Sequence, residues 1–336
     1  MNPKLSVIMS CYNDHEYIRE SLESILNQTF ADFEVIIIDD ASTDDTTTII
    51  KSYKDDRIRL YVNSENQGLT RNLNKALGYV NGEYIARMDG DDVSHHDRFE
   101  KQVEYLDSHR DIYLIGCAVH SFGATDLYWR LPDNSNELKI RMLIKPVFAH
   151  PSFMFRRELV DKGFMYNESF RTAQDYDFAA RVSRQYKIGR LPEVLLEYRV
   201  HDKQVSSTSG SNQNDNAARV RNRLLQELGV ELSGDRAEFY RDWALEKKLG
   251  NVSEYKKAYA IINLLCQGND LKHIYDPDKL EIVLKKMLYT WVIRSKNMKY
   301  ILAFPMICNY KFGNMGIFVG ELIRTYKEKV MNKHER

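Results

Sequence analysis

Disulfide frameworks, clustered metal-binding cysteines and long apolar runs are all missing from this chain. Its 336 residues include only four cysteines, Cys11, Cys117, Cys266 and Cys308. None forms a Cys-x-x-Cys pair and no Cys/His set has zinc spacing, which argues against a structural zinc site and fits a reduced, cytoplasmic setting. No stretch reaches the roughly 18 uninterrupted apolar residues of a membrane-crossing helix, so none is expected. The segment from Met1 to Ile8 enters a strand directly, without the apolar core of a signal peptide, so no export signal is expected. Net charge is also missing: 48 Lys and Arg balance 48 Asp and Glu. With 43% hydrophobic and 29% charged residues the composition excludes a disordered chain. The length suits one large domain with an appendage, or two domains.

The balanced charge is unevenly spread. From Lys279 to Arg336 there are 12 Lys and Arg against 4 Asp and Glu, a surplus of +8 that the first 278 residues offset. A basic tail on an acidic body points to an anionic partner such as lipid head groups or nucleic acid, or to a solvated helical face.

What is present first is alternation. Leu5 to Met9, Phe33 to Ile38, Ile58 to Val62, Gly82 to Met88 and Ile112 to Val119 read as strands. Between them, residues 14–28, 46–53, 70–79 and 98–108 carry helical spacing. This rhythm predicts an α/β fold, a doubly wound, mostly parallel sheet with helices on both faces. The polar stretch Ser206 to Asp215 reads as a linker or loop, and a helical region follows from 216 to 336. Ligands of such sheets bind beyond the carboxyl ends of the strands. Tyr12 and Asn13, Asp39 and Asp40, and the run Asp89-Gly-Asp-Asp92 all fall there, so one crevice can collect them. Hard carboxylate oxygens at a sheet rim suit Mg²⁺ or Mn²⁺, which commonly holds a phosphate-bearing substrate.

Several segments, in order, resemble glycosyltransferase family 2. They are Ser6-Val-Ile-Met-Ser-Cys-Tyr-Asn13, Leu26-Asn-Gln-Thr-Phe30, Phe33 to Asp44, Asn66-Gln-Gly-Leu-Thr-Arg-Asn72, Asp89-Gly-Asp91 and Gln174-Asp175. The match covers residues 4 to 205. The resemblance implies a GT-A fold over 1–210, with a nucleotide-sugar half to about residue 92 and an acceptor half over 93–210. It also implies inverting transfer of a sugar from a UDP-sugar.

The same resemblance assigns roles. Ser10 and Tyr12 would lie against the uracil, Tyr12 by stacking or else in core packing. Asp40 would accept the uracil N3–H, while Asp39 positions the strand end, touches the ribose or caps the next turn. Arg71 would face the base or a phosphate, or be a surface charge. Asp91 is the expected metal ligand, and Asp89 approaches the ribose or the metal. His201 reaches the metal or diphosphate, or is a loop histidine bonded to backbone. Arg199 binds the diphosphate or serves the fold. Asp175 is the expected general base, with Asp177 as rival. His150 would lie on the acceptor side.

The resulting expectation is a transferase needing Mn²⁺ or Mg²⁺ that uses a UDP-sugar donor and a polyprenyl-diphosphate-linked saccharide acceptor in polysaccharide or O-antigen/capsule assembly. It would be cytoplasmic, with attachment to an anionic membrane surface through 279–336 as one reading and packing of that region on the catalytic domain or a second subunit as the other. No nucleic-acid partner is expected, and a homo-oligomer is left open. Transfer to a polyprenyl phosphate and a degenerate nucleotide-sugar-binding module are the alternatives. A sugar nucleotidyltransferase would want a glycine-rich basic loop after its first strand. Ser10-Cys-Tyr-Asn-Asp14 has neither glycine nor a basic residue.

Overall fold

A computed structural model describes residues 2–129, 132, 134–202, 204, 210–247 and 253–294. The chain divides into two compact units: Met1–Ser135 with Val147–Ala217, and Asn136–Pro146 with Ala218–Arg336.

The first unit opens with β1 (Leu5–Cys11), α1 (Ile18–Leu26), β2 (Phe33–Asp39), α2 (Thr46–Ser52), β3 (Ile58–Val62), α3 (Leu69–Leu77) and β4 (Tyr84–Asp89). It continues through β5 (Val93–Ser94), α4 (Arg98–Ser108), β6 (Ile112–Gly123) and β7 (Leu127–Trp129). After α5 (Ser135–Arg141) come a 3₁₀ turn at His150–Ser152, β8 (Met154–Arg156), α6 (Glu158–Asp161), α7 (Gln174–Gln185) and β9 (Lys187–Val200). The strands form one sheet in the order β3-β2-β1-β4-β8-β6-β9-β5, with β7 paired to β6.

Strands β1 to β4 are parallel, and their order reverses between β1 and β4. That reversal is where open sheets split to admit ligands. Both faces are covered, so the strand sequences are apolar throughout rather than alternating. Leu5, Val7 and Met9 of β1 pack with Val35 and Ile37 of β2 in one core with Ile18, Leu22 and Ile25 of α1 and Phe99, Val103 and Leu106 of α4. Helix α3 meets the sheet at β1 and β2 and buries Leu73, Ala76 and Leu77. Pairing of Ser10 with Asp89, and of Cys11 with Asp39, brings the carboxyl ends of β1, β2 and β4 level.

Three features go beyond the expected organisation. Within the mostly parallel sheet, β8 lies antiparallel between β4 and β6, and β5 and β7 add short antiparallel pairs. Strands of two or three residues carry too little periodicity to be read from sequence. Helix α7 starts at Gln174, where Ala173 adopts a left-handed conformation (φ 57°) that turns the chain into it. Residues 136–146 group with the helical region, which otherwise begins at Ala218.

In that second unit follow α8 (Gly210–Glu227), α9 (Gly234–Ala244), α10 (Ser253–Lys272) and α11 (Pro277–Arg294), the first residues of α8 belonging to the other unit. Trp243 of α9 stacks on Trp291 of α11 at 6.3 Å, and the hydroxyls of Tyr259 and Tyr289 are 2.8 Å apart. The early insertion is tied in by Lys139 Nζ donating to the Ile274 carbonyl at 2.9 Å. Leu280, Leu284, Leu288 and Trp291 are buried, so the described part of the basic 279–336 segment packs within its own unit. Residues 295–336 lie outside the described ones. No described helix is long and apolar enough to cross a membrane.

A network at the start of the sheet gives a direct test. Ser6 Oγ donates to Glu34 at 2.7 Å and accepts the Gly82 N–H at 2.8 Å. A Cβ on Gly82 would lie 2.5 Å from the Ser6 backbone nitrogen. Gly82→Ala should therefore cost about 1–3 kcal/mol of stability, read from urea unfolding.

Candidate active site

The site is built on the end of β4. Tyr84 to Met88 are buried, and the chain then breaks into Asp89-Gly-Asp-Asp92. The turn is held on its far side where β5 pairs with Leu196 and Glu197 of β9. A Cβ at Gly90 would lie 2.6 Å from Asp14 Oδ2, so a side chain there would push the Asp14 carboxylate aside. Oxygens of Asp89, Asp91 and Asp92 converge within 4.8 Å of one another, and this is the metal-capable cluster among the described residues.

Like charges that close cannot all ionise without help. The help comes from three cations or donors. Arg87 Nη1 pairs with Asp89 Oδ2. His201 Nε2 lies 2.9 Å from Asp91 Oδ2. Arg199 donates its backbone N–H to Asp92 Oδ1 at 2.8 Å and its Nε to the Asp91 carbonyl at 2.8 Å. Arg199 is itself fixed between the rings of Tyr17 and Phe122, at 4.7 and 4.5 Å, and pairs with Glu20. Its place is therefore under the acidic turn.

Compensation is incomplete. Burial pushes Asp92 well above the usual carboxylate range, with Asp91 and Asp89 adding to the shift. Burial also raises Asp89, against the opposing pull of Arg87. Asp14 at the end of β1 is pushed up to about 7 by burial and then by Asp91. Asp92 Oδ2 is buried with no hydrogen-bond partner among the described residues. Hard oxygen donors, one of them orphaned, with an imidazole at the same turn, are a donor set that fits Mn²⁺ or Mg²⁺.

At the ends of β1 and β2, Ser10 Oγ accepts from Asn72 Nδ2 at 3.2 Å. Tyr12 is 47% exposed, a ring face open at the rim rather than packed in the core. Asp39 caps the following turn, accepting from the Ser42 N–H at 2.9 Å and from Thr47. Asp40 is buried and accepts from Gln67 N at 2.8 Å, Gly68 N at 2.8 Å and Asn63 Nδ2 at 2.9 Å. In the described geometry it organises the loop leading into α3. Arg71 is exposed and lies 3.4 Å from Glu168. Asn63 and Asn72, which link Ser10 to Asp40, were not singled out from the sequence. Short polar side chains near Asn66-Gln67-Gly68 were the available signal.

On the opposite side Asp175 occupies the first turn of α7. Burial raises its carboxyl, opposed by the Tyr176 N–H and then by Arg87. Its charge reaches Asp89, so the carboxylate of α7 and the turn after β4 share one electrostatic neighbourhood. The rival Asp177 is fully buried and bonded to Arg181 Nε at 2.7 Å, which commits it to the fold. His150 is also buried, its Nε2 2.9 Å from Tyr166 Oη and its ring against Phe153. That places it in the packed layer with Tyr166, with little surface to offer an acceptor. Burial, and then Arg87, hold its pKa well below the ordinary histidine value, so it is neutral.

Donors to a carboxylate pull its pKa down, and those to Asp40 do so against the opposing effect of burial. Its contribution to stability is present above about pH 4 and is lost as pH falls through the lowered folded-state value. Asp40→Asn should cost about 2–3 kcal/mol at neutral pH by urea unfolding. The difference from the parent protein should narrow below about pH 3.

Known proteins resemble this chain in sequence and in fold. The model of Glycosyl transferase family 2 matches residues 6–164. An uncharacterized glycosyltransferase of Haemophilus influenzae is 31% identical over 301 residues, 85% of this chain and 85% of that protein. The O-antigen biosynthesis glycosyltransferase WbnJ of Escherichia coli is 34% identical over 215 residues, 61% of this chain and 83% of WbnJ. Among solved structures, S. aureus TarS 1-349 in complex with UDP-GlcNAc has a TM-score of 0.57 at 18% identity, covering 84% of this chain and 91% of that one. The mannosyltransferase PcManGT from Pyrobaculum calidifontis, in complex with GDP-Man and Mn²⁺, has a TM-score of 0.55 at 19% identity, covering 86% of each. The structural likenesses establish a shared GT-A architecture, and the sequence likenesses go further: this chain is a glycosyltransferase and belongs to glycosyl transferase family 2.

Proposed function

We propose that this enzyme transfers a sugar from a UDP-sugar to a hydroxyl of a lipid-linked saccharide, with inversion at the anomeric carbon and with Mn²⁺ or Mg²⁺ bound at the acidic turn. The observation that carries the reading is the set of carboxylates at the end of β4, with Asp175 on α7 within electrostatic reach of Asp89. It is supported by the UDP-GlcNAc and the Mn²⁺ bound in the two structural neighbours.

Asp91, with His201 and Asp89, would hold the metal. Bound there, the ion would neutralise the diphosphate and stabilise the leaving nucleotide. Tyr12 offers a ring face to the base, and Ser10 and Asp40 shape the loops around it. Asp175 takes the proton from the acceptor hydroxyl as that oxygen bonds to C1. The bond between C1 and the diphosphate oxygen breaks in the same displacement, and its electron pair leaves with UDP. One displacement requires no covalent nucleophile, and inversion follows.

The acceptor reading rests on WbnJ, named for O-antigen biosynthesis, and on the basic surplus of 279–336, which suits an anionic membrane surface. A site facing the cytoplasm and a peripheral association belong to the same proposal.

The experiment offers purified enzyme a panel of UDP-, GDP- and dTDP-sugars with Mn²⁺ or Mg²⁺, and follows nucleotide release with and without EDTA. Metal-dependent UDP release from one donor is expected. Release confined to a GDP-sugar, or undiminished by EDTA, would overturn the donor or the metal assignment. Asp175→Asn should lower kcat by about 10³-fold while leaving UDP affinity nearly unchanged. Because the carboxyl of Asp175 is raised, the rate should fall as pH drops through a value above the usual aspartate range of about 3.9.

A further inference from the structure

We propose that Asn74 of α3 is a positioning residue for the transfer, an amide that clamps the irregular segment before α7 and so sets where Asp175 stands against the donor. The inference rests on the reading of Asp175 as the base.

From Lys162 to Ala173 the chain forms neither helix nor strand. It has no ladder of its own, so its place depends on what its backbone groups bond to. At Tyr166 that partner is Asn74, whose Oδ1 accepts the Tyr166 N–H at 2.9 Å and whose Nδ2 donates to the Tyr166 carbonyl at 2.9 Å. One side chain thus reproduces both hydrogen bonds of a strand pair. One turn earlier on the same side of α3, Thr70 Oγ1 donates to the Phe170 carbonyl at 2.7 Å. Asn74 Nδ2 also reaches Glu168 Oε1 at 3.2 Å, and Arg71 Nε lies 3.4 Å from the other oxygen of that carboxylate. The segment is therefore fastened to α3 from Tyr166 to Phe170.

Its other attachments are to α7. The ring of Tyr166 stacks on Phe178 with centroids 4.8 Å apart, and Arg181 Nη2 donates to the Met165 carbonyl at 2.7 Å. Tyr166 is a strut with its backbone on α3 and its ring on α7, and Asp175 stands in the first turn of α7, about one turn before Phe178. The opposite side of α3 meets the sheet rim, where Asn72 accepts from Asn63 Nδ2 at 2.8 Å and donates to Ser10 Oγ at 3.2 Å. Leu73, Ala76 and Leu77 already seat α3 on the sheet. Asn74 and Thr70 thus serve the segment rather than the packing of their own helix. Without the amide, α3 stays seated and α7 stays folded, but the segment that sets their spacing is released. A misplacement of about 1 Å can lower a rate by about 100-fold.

The test compares Asn74→Ala, Thr70→Val, Asp175→Asn and the combinations of each of the first two with Asp175→Asn. Each is assayed with Mn²⁺ for UDP release from the donor that the panel selects, for UDP affinity by calorimetry and for stability in urea. Gly82→Ala, destabilised at the opposite end of β4, is the control and should keep the parent kcat. Asn74→Ala should lower kcat by about 30-fold, and Thr70→Val by about 5-fold, with donor KM and UDP affinity within about twofold of the parent protein. Added to Asp175→Asn, either change should slow the enzyme by no more than about twofold, because the group it positions is already gone. A folded Asn74→Ala with the parent kcat would overturn the proposal. So would losses that multiply in the combined variants, or a loss of UDP affinity that matches the loss of kcat. If Asn74→Ala does not fold, Thr70→Val decides by the same readings, and failure of both to fold makes the clamp a contact of the fold alone and overturns the proposal. Full activity in Asp175→Asn would instead sink the base reading, a result distinguishable because that variant leaves the clamp intact.

Discussion

The mutual repulsion of carboxylates at the end of β4 is the constraint around which the catalytic unit is arranged. Two unit charges 4.8 Å apart at an effective dielectric near 20 repel by about 3 kcal/mol, and here three carboxylates share that space. The fold answers with a cation from beneath, Arg87, and a side chain and backbone from β9, Arg199, with His201 just beyond. Even so, Asp92 and Asp89 remain pushed toward protonation. The turn therefore carries an unmet demand for positive charge, which a metal-bound nucleotide diphosphate would meet under the proposed reading.

Strand register converts that local demand into a site. Because Ser10 pairs with Asp89 and Cys11 with Asp39, three segments far apart in sequence arrive at one rim. The chain leaves that rim under strain. In the catalytic unit, the described non-glycine residues with positive φ are Asn13, Ala41 and Ala173. Each adjoins the site: Asn13 follows Tyr12, Ala41 follows Asp40 and Ala173 opens the helix that carries Asp175. For the two alanines such a conformation costs about 1–2 kcal/mol and persists only where the surroundings enforce it. Their distribution marks the loops as shaped for presenting side chains rather than for economical connection.

Much of this was legible in the sequence. Uniform apolar runs closing on Asp39-Asp40 and Asp89-Gly-Asp-Asp92 gave strands β2 and β4 and the rim, and β3 and α4 fell at the expected residues. What was not legible depends on distant contacts. Arg87 reads as an ordinary strand residue until β4 is known to be covered on both faces, whereupon a guanidinium inside it becomes anomalous. Asp14 reads as a helix start, but α1 begins at Ile18, and the Asp14 carboxylate turns back to accept the Tyr12 N–H at 3.1 Å. His150 reads as a polar side chain ahead of a proline, and only the packing of Phe153 and Tyr166 shows that it is buried. The grouping of residues 136–146 with the helical region lies in long-range contacts that no local pattern encodes.

The two acidic strand ends illustrate why composition and position alone do not assign chemistry. Both β2 and β4 close an apolar strand on consecutive carboxylates at the same level of the sheet. At the end of β2 the loop from Asn63 to Gly68 supplies amide donors to Asp40, so burial is offset and the carboxylate stays ionised as a fixed anchor. At the end of β4 glycine replaces any side chain between two of the carboxylates, and donors are too few to satisfy them all. Amide donors stabilise an anion in place, whereas their scarcity leaves it to recruit a cation. One motif thus serves as scaffold while the other keeps an unmet demand for positive charge, and the difference lies in the neighbours that the fold brings to each.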